Sequence, residues 1–197
     1  MDLEMNDNQL FNTLKPSAKL SIVVPFYNEE KCILDFSKRL YESLHWIDDY
    51  QIIFVNDGST DRTFEIIQEI SEKFNINYIS FSRNFGHQAA ITAGINYSIG
   101  EHIVIMDGDG QDPPELLEEL YNKACQGFDV VYAKRKSRKG ESFLKKTTAA
   151  LFYRVLKKIT SVEIPVDTGD FRIISRRIKL EFEKMQETNK FIRGLVT

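Results

Sequence analysis

Nothing in the 197 residues approaches the run of about 18 or more consecutive apolar residues that a membrane-spanning helix needs, so no span is expected. No basic start followed by an apolar stretch marks a secretory signal. Residues 1–19 are polar and are expected to form a flexible leader, and the chain is expected to be cytoplasmic. Cysteine is scarce: Cys32 and Cys125 have neither metal-binding nor redox spacing, which fits a reducing compartment and not a disulfide framework. Glycine-rich phosphate loops are missing as well, since neither Gly-x-Gly-x-x-Gly after the first apolar run nor a Walker lysine motif is found. No repeat, linker or low-complexity segment interrupts the chain. Basic charge is sparse over most of it: residues 1–133 carry 9 Lys/Arg against 22 Asp/Glu, whereas residues 134–158 carry 10 against 1. A body this acidic excludes a general nucleic-acid binder, and the local basic stretch implies a local anionic partner.

What is present reads as one α/β domain. At 42% apolar the chain can bury a core without staples. Short β-branched runs at Leu20–Phe26, Ile52–Val55, Tyr78–Phe81, Ile103–Met106 and Phe128–Ala133 are expected strands. Between them, helices are expected from Tyr27-Asn28-Glu29-Glu30 through Ile33, Leu34, Leu40 and Leu44, around Phe64, Ile67 and Ile70 behind a Ser59, Thr60 or Asp61 cap, from Gly86 to Ile99 closed by Gly100, and from Leu116 to Cys125. This alternation predicts βαβ units around a mostly parallel sheet flanked by helices.

The strand ends are polar. Asn28/Glu29, Asp57, Arg83/Asn84 and Asp107/Asp109 each fall within a residue or two of an expected strand end, so they should line one crevice at the carboxyl edge of the sheet. Two readings of Asp107-Gly108-Asp109 stand side by side. Adjacent carboxylates repel unless a cation sits between them, and hard oxygen donors suit Mg²⁺ or Mn²⁺ shared with substrate phosphates. The bland reading is an acidic turn before a helix, which Asp112-Pro113-Pro114-Glu115 resembles most. His87 is open between a ligand contact and an ordinary helix start; His45 and His102 read as structural, and Trp46 as packing.

Three motifs in this order resemble the GT-A glycosyltransferases of family 2: Val24-Pro25-Phe26-Tyr27-Asn28-Glu29-Glu30, Val55-Asn56-Asp57-Gly58-Ser59-Thr60-Asp61, and Asp107-Gly108-Asp109-Gly110-Gln111-Asp112-Pro113-Pro114-Glu115. Ser82-Arg83-Asn84-Phe85-Gly86-His87-Gln88, Lys134-Arg135-Lys136-Ser137-Arg138 and Gly169-Asp170-Phe171-Arg172 are similar to the polyprenyl-phosphate subgroup, which includes dolichyl-phosphate mannose synthase and bactoprenol glucosyltransferases. The resemblance runs from Leu20 to Thr197 and implies a single GT-A domain over residues 20–197. It implies that Pro25, Tyr27, Glu29 and Asp57, with Asp107 and Gly108, meet the sugar nucleotide, and that Asp107, Asp109 and Gln111 hold Mg²⁺ or Mn²⁺ on the diphosphate. It places Asp170 near the reacting sugar with Arg172 as a neighbouring charge, and gives Arg135, Arg138 and Arg172 to phosphate. Asn56, Gly108 and Gly110 replace residues common in relatives and are expected to be tolerated.

The implied reaction is inverting transfer of a hexose from a UDP- or GDP-sugar to a polyprenyl phosphate at the cytoplasmic membrane face. Residues 134–160 form the basic segment; Leu144, Thr148, Leu151, Phe152, Val155 and Ile159 recur near helical spacing. From periodicity this helix either packs on its own sheet or lies in an anionic bilayer surface; the resemblance favours the second. Relatives usually continue past Phe191-Ile192-Arg193-Gly194-Leu195 into transmembrane helices. Truncation, a membrane-protein partner and surface helices therefore stay open as accounts of membrane contact. A saccharide or protein acceptor, or a silent sugar-nucleotide-binding subunit, are the alternative functions.

Overall fold

The computed structural model describes residues 18–134 and 168–184. The expected leader apart from its last two residues, and Arg135, Arg138 and nearly all of the basic segment, lie outside the described residues. Six strands are described: β1 (Ala18–Phe26), β2 (Tyr50–Asn56), β3 (Ile76–Ser80), β4 (Gly100–Ile105), β5 (Val130–Lys134) and β6 (Thr168–Ser175). They form one sheet in the order β3-β2-β1-β4-β6-β5. β1 pairs in parallel with β2 and β4, and β2 with β3, while β6 runs antiparallel to both β4 and β5. The mostly parallel sheet is as expected; β6, which no alternation of apolar runs announced, is inserted between β4 and β5.

Period-2 alternation sends successive side chains to opposite faces, and because both faces of the central strands are covered, β1, β2 and β4 carry consecutive buried apolar residues. Leu20, Ile22, Val24 and Phe26 of β1 join Val104 and Met106 on one face, under α1 (Ile33–Ser43), α2 (Thr63–Ser71) and α4 (Leu117–Ala124). Val23, Ile53, Val55, Ile103, Ile105 and Ile174 line the other, under α3 (His87–Tyr97) and α5 (Arg176–Lys184). Ile33, Phe36 and Leu40 put the buried stripe of α1 on the sheet, whereas Leu34 faces solvent. No helix among the described residues is long and apolar enough to cross a membrane.

Two local expectations change. Gly100 opens β4 instead of closing α3, which ends at Tyr97 with Ser98 extended. Asp112 does not stand at the start of the Pro114–Leu116 3₁₀ turn as a cap; it is buried, and its carboxylate reaches back to accept from the Asp107 amide at 3.0 Å. Asp61 behaves as expected, accepting from the Thr63 amide at 3.0 Å where α2 begins. Trp46 packs on Tyr121, ring centres 5.2 Å apart, and both cysteines are free thiols.

Candidate active site

The loops after β1 and β2 are stitched together by their own polar side chains. Asn28 takes a left-handed φ of 57°, which asparagine tolerates better than most residues. Its Oδ1 accepts from the Thr60 amide at 2.8 Å, while its own amide donates to Ser59 Oγ at 3.1 Å. The Glu29 amide donates to Thr63 Oγ1 at 2.7 Å, and the Glu30 amide to Asp61 Oδ2 at 3.2 Å. Tyr27 and Glu29 thus project from a braced segment. The Cys32 thiol donates to Glu29 Oε2 at 3.0 Å and lies 3.5 Å from the Gly108 carbonyl. Burial, then the Glu29 carboxylate, push this thiol up to about 12, so it stays protonated and serves as a donor.

Asp57 carries the bracing to a third loop. It is 2% exposed, and its two oxygens accept from the amides of Phe85 and Gly86 at 2.7 and 2.9 Å. Gly58 makes the approach possible: at φ 64°, a Cβ there would sit 2.2 Å from the Arg83 carbonyl carbon. A carboxylate on the end of β2 therefore fixes the start of α3, and with it His87. Arg83 lies over the Phe85 ring at 4.2 Å, beside this turn.

The fourth loop follows β4. The Met106 amide still donates to Val23, so Asp107 is delivered at the first position beyond the sheet. Gly108 then packs against the buried Phe26 ring, where a Cβ would come within 2.1 Å of it. Asp109 is exposed and accepts from the Gln111 amide at 2.9 Å. Asp107 Oδ1 is buried without a hydrogen bond, and His87 Nε2 lies 3.5 Å from it. Burial pushes the Asp107 carboxyl up to about 6; His87 opposes this, and Asp112, Asp170 and Asp109 reinforce it.

Asp170 arrives from β6. Its Oδ1 accepts from Arg172 Nη2 at 2.9 Å, and its Oδ2 lies 3.2 Å from His87 Nε2. Arg172 is 1% exposed, bonded also to the Asp170 carbonyl, with its guanidinium 5.3 Å from the centre of the Tyr132 ring. It sits beneath Asp170, where it orients that carboxylate.

Pro25, Tyr27, Glu29, Asp57, Asn84, His87, Asp107, Gly108 and Asp109 all border one cavity of about 320 Å³, and Asp170 stands beside it through His87. Seven of the site residues expected from the sequence, Pro25, Tyr27, Glu29, Asp57, Asp107, Gly108 and Asp109, are thus brought together; Gln111 is on the same loop, and Arg135 and Arg138 are outside the described residues. His87 is the member the sequence left open, because only the fold sets it between Asp107 and Asp170. His87, Asp107 and Asp170 offer ligand atoms that all lie within 4.8 Å of one another. A buried carboxylate oxygen lacking a donor, amid further carboxylates, fits a hard divalent cation such as Mg²⁺ or Mn²⁺.

The family model for Glycosyl transferase family 2 matches residues 21–180. The chain is 51% identical over 179 residues to the uncharacterized glycosyltransferase YkcC of Bacillus subtilis, covering 90% of this chain and 55% of that protein. It is 37% identical over 182 residues to the bactoprenol glucosyl transferase of Shigella phage SfX, covering 91% and 59%. The chain therefore spans little more than half the length of these relatives. Among solved structures, the mannosyltransferase PcManGT of Pyrobaculum calidifontis, in complex with GDP-Man and Mn²⁺, aligns with a TM-score of 0.63 at 19% identity over 96% of this chain and 55% of that one. That likeness establishes the GT-A fold, and the family match together with the identity to YkcC establishes more: this chain belongs to glycosyl transferase family 2.

Proposed function

We propose that the protein transfers a hexose, with inversion, from a UDP- or GDP-sugar to a polyprenyl phosphate at the cytoplasmic face of a membrane. The observation that carries this reading is the cavity itself, bordered by Glu29, Asp57, Asp107 and Asp109 from three strand ends, with Asp107 Oδ1 buried and without a hydrogen bond. The 37% identity to a bactoprenol glucosyl transferase supports the lipid acceptor, and the GDP-Man and Mn²⁺ bound by PcManGT support a nucleotide sugar and a divalent ion. Pro25, Tyr27, Glu29 and Asp57 wall the nucleotide; for Asp57 this means through the loop it holds as much as by direct contact. Asp107, Asp109 and Gln111 hold Mg²⁺ or Mn²⁺ at the diphosphate, with Gly108 keeping their loop close against Phe26. When bound, such an ion supplies positive charge against which a leaving diphosphate is stabilised.

The residues of the chain need not abstract a proton. A phosphate monoester is already largely dianionic at neutral pH, its second pKa being about 6. Asp170, oriented by Arg172, is a fixed negative charge beside the reacting sugar that favours a developing oxocarbenium ion. Arg135 and Arg138 receive the acceptor phosphate, and residues 134–160 rest on the membrane surface, aided by a membrane-protein partner or surface helices; residues 1–19 act as a leader. The test is incubation with radiolabelled UDP- or GDP-hexose, Mn²⁺ and undecaprenyl or dolichyl phosphate. Label should enter the organic phase only when the lipid phosphate is present. Label passing instead to a saccharide or protein, or nucleotide binding with no turnover on any lipid, would replace this reading with one of its alternatives.

A further inference from the structure

We propose that His87 is itself a ligand of the divalent cation, its Nε2 completing a set with Asp107 and Asp170. This rests on the metal-dependent reading above and adds His87 and Asp170 to Asp107 as ligands, so that Asp170 holds the cation instead of standing as a free charge beside the sugar. Three independent elements supply the groups: His87 is the first residue of α3, Asp107 follows β4, and Asp170 lies in β6. Nε2 is 3.5 Å from Asp107 Oδ1 and 3.2 Å from Asp170 Oδ2. Ligands at about 2.1 Å on adjacent octahedral positions are about 3 Å apart, so the two distances from Nε2 are already near the spacing a cation needs, and all three ligand atoms lie within 4.8 Å of one another.

Each group is also held in that position by something else. Asp170 has its other oxygen on Arg172. Asp107 is fixed through its amide by Asp112 and leaves a buried Oδ1 without a hydrogen bond. His87 follows Gly86, whose amide Asp57 grips, and its side chain is 41% exposed toward the cavity. A ring whose only part was to start the helix would not be placed against two carboxylates on other strands. The competing reading of the same distances is a histidine that hydrogen-bonds both carboxylates and leaves the cation to oxygen donors alone. An imidazole in the set further implies a preference for Mn²⁺ over Mg²⁺, because nitrogen donors suit the later, softer ions better.

The two readings separate spectroscopically. The chain has three histidines, so ¹⁵N-histidine labelling is a sparse probe. With Mn²⁺ bound in the presence of UDP or GDP, pulsed electron paramagnetic resonance should detect a directly coordinated nitrogen whose coupling changes from the ¹⁴N to the ¹⁵N pattern on labelling. His87→Gln should abolish that coupling and weaken Mn²⁺ binding by about tenfold or more, the scale on which even outer partners of a metal act. Bound Mn²⁺ with no histidine coupling in the wild-type protein, or coupling that survives in the variant, overturns the assignment while leaving the transfer reaction standing. The wild-type spectrum decides even if the variant does not fold. Coupling present with no transfer to any lipid phosphate would instead leave the ligand and remove the proposed acceptor, and failure to bind Mn²⁺ at all would end both.

Discussion

Asp107 occupies a position where its charge is unfavourable in the protein alone: burial raises its pKa to about 6, against the opposing effect of His87, and three further aspartates nearby reinforce the rise. The sign is that of a carboxylate less acidic in the folded state than in the unfolded one, so its ionised form at pH 7 detracts from stability. Asp107→Asn should therefore keep the metal-free melting temperature or raise it by the equivalent of about 1 kcal/mol. It should also lose the shift produced by Mn²⁺ with nucleotide and reduce transfer by about a hundredfold or more. A variant that melts well below the wild type without metal would show that the charge is structurally needed. Gly108 makes the opposite kind of prediction. With a Cβ placed 2.1 Å from the Phe26 ring, itself packed edge-on to Phe36 and Phe54, Gly108→Ala should destabilise by about 1–3 kcal/mol in urea unfolding.

Between elements, Asp57 is the connection that matters most for the site. It directly follows β2, yet its side-chain hydrogen bonds are to the turn that starts α3, so one side chain ties two walls of the cavity together. Replacing it by alanine leaves the Phe85 and Gly86 amides without their acceptor, a loss of about 1–3 kcal/mol. The loss should appear locally: amide exchange should rise across residues 83–90 far more than in β1 or β4, and nucleotide affinity should fall with it. Uniform exchange throughout the sheet would mean that Asp57 supports the whole fold and not this turn. The same logic explains Asp112 and Arg172. Asp112 spends its carboxylate on the Asp107 backbone amide and Arg172 its guanidinium on the Asp170 carboxylate, and both are buried whereas Asp107 is only partly so.

Across the whole molecule, charge is divided between an acidic body and a stretch of 10 basic residues against 1 acidic in residues 134–158. An anionic lipid surface would repel the first and attract the second. Binding to phosphatidylglycerol vesicles should thus be strong at low ionic strength and weaken sharply as salt shortens the screening length from about 30 Å at 0.01 M to about 8 Å at 0.15 M. Substituting Lys145, Lys146, Lys157 and Lys158 by alanine should remove most of it at low salt. Co-sedimentation that ignores both salt and these lysines would transfer membrane contact to another part of the protein or to a partner.

The succession of β1 to β5 along the chain, the burial of β1, β2 and β4 on both faces and the three acidic loops were legible because each depends on neighbours a few residues apart: apolar runs, turn residues and caps act locally. Even the brace between Asn28 and Thr60 joins residues of the kind that loops after adjacent strands were expected to contain. β6 was not legible, since nothing in Thr168–Ser175 by itself says that it will enter the sheet antiparallel between β4 and β5. That insertion is a pairing between distant segments, and it alone brings Asp170 to His87, 83 residues earlier in the chain. Likewise Asp112 looked like a helix start, and only the folded loop revealed the Asp107 amide as its partner. The sequence by itself determined which chemical groups stand at the carboxyl edge of the sheet; the tertiary structure decided which of them touch, because contact between separate strands is settled by sheet order and not by local pattern.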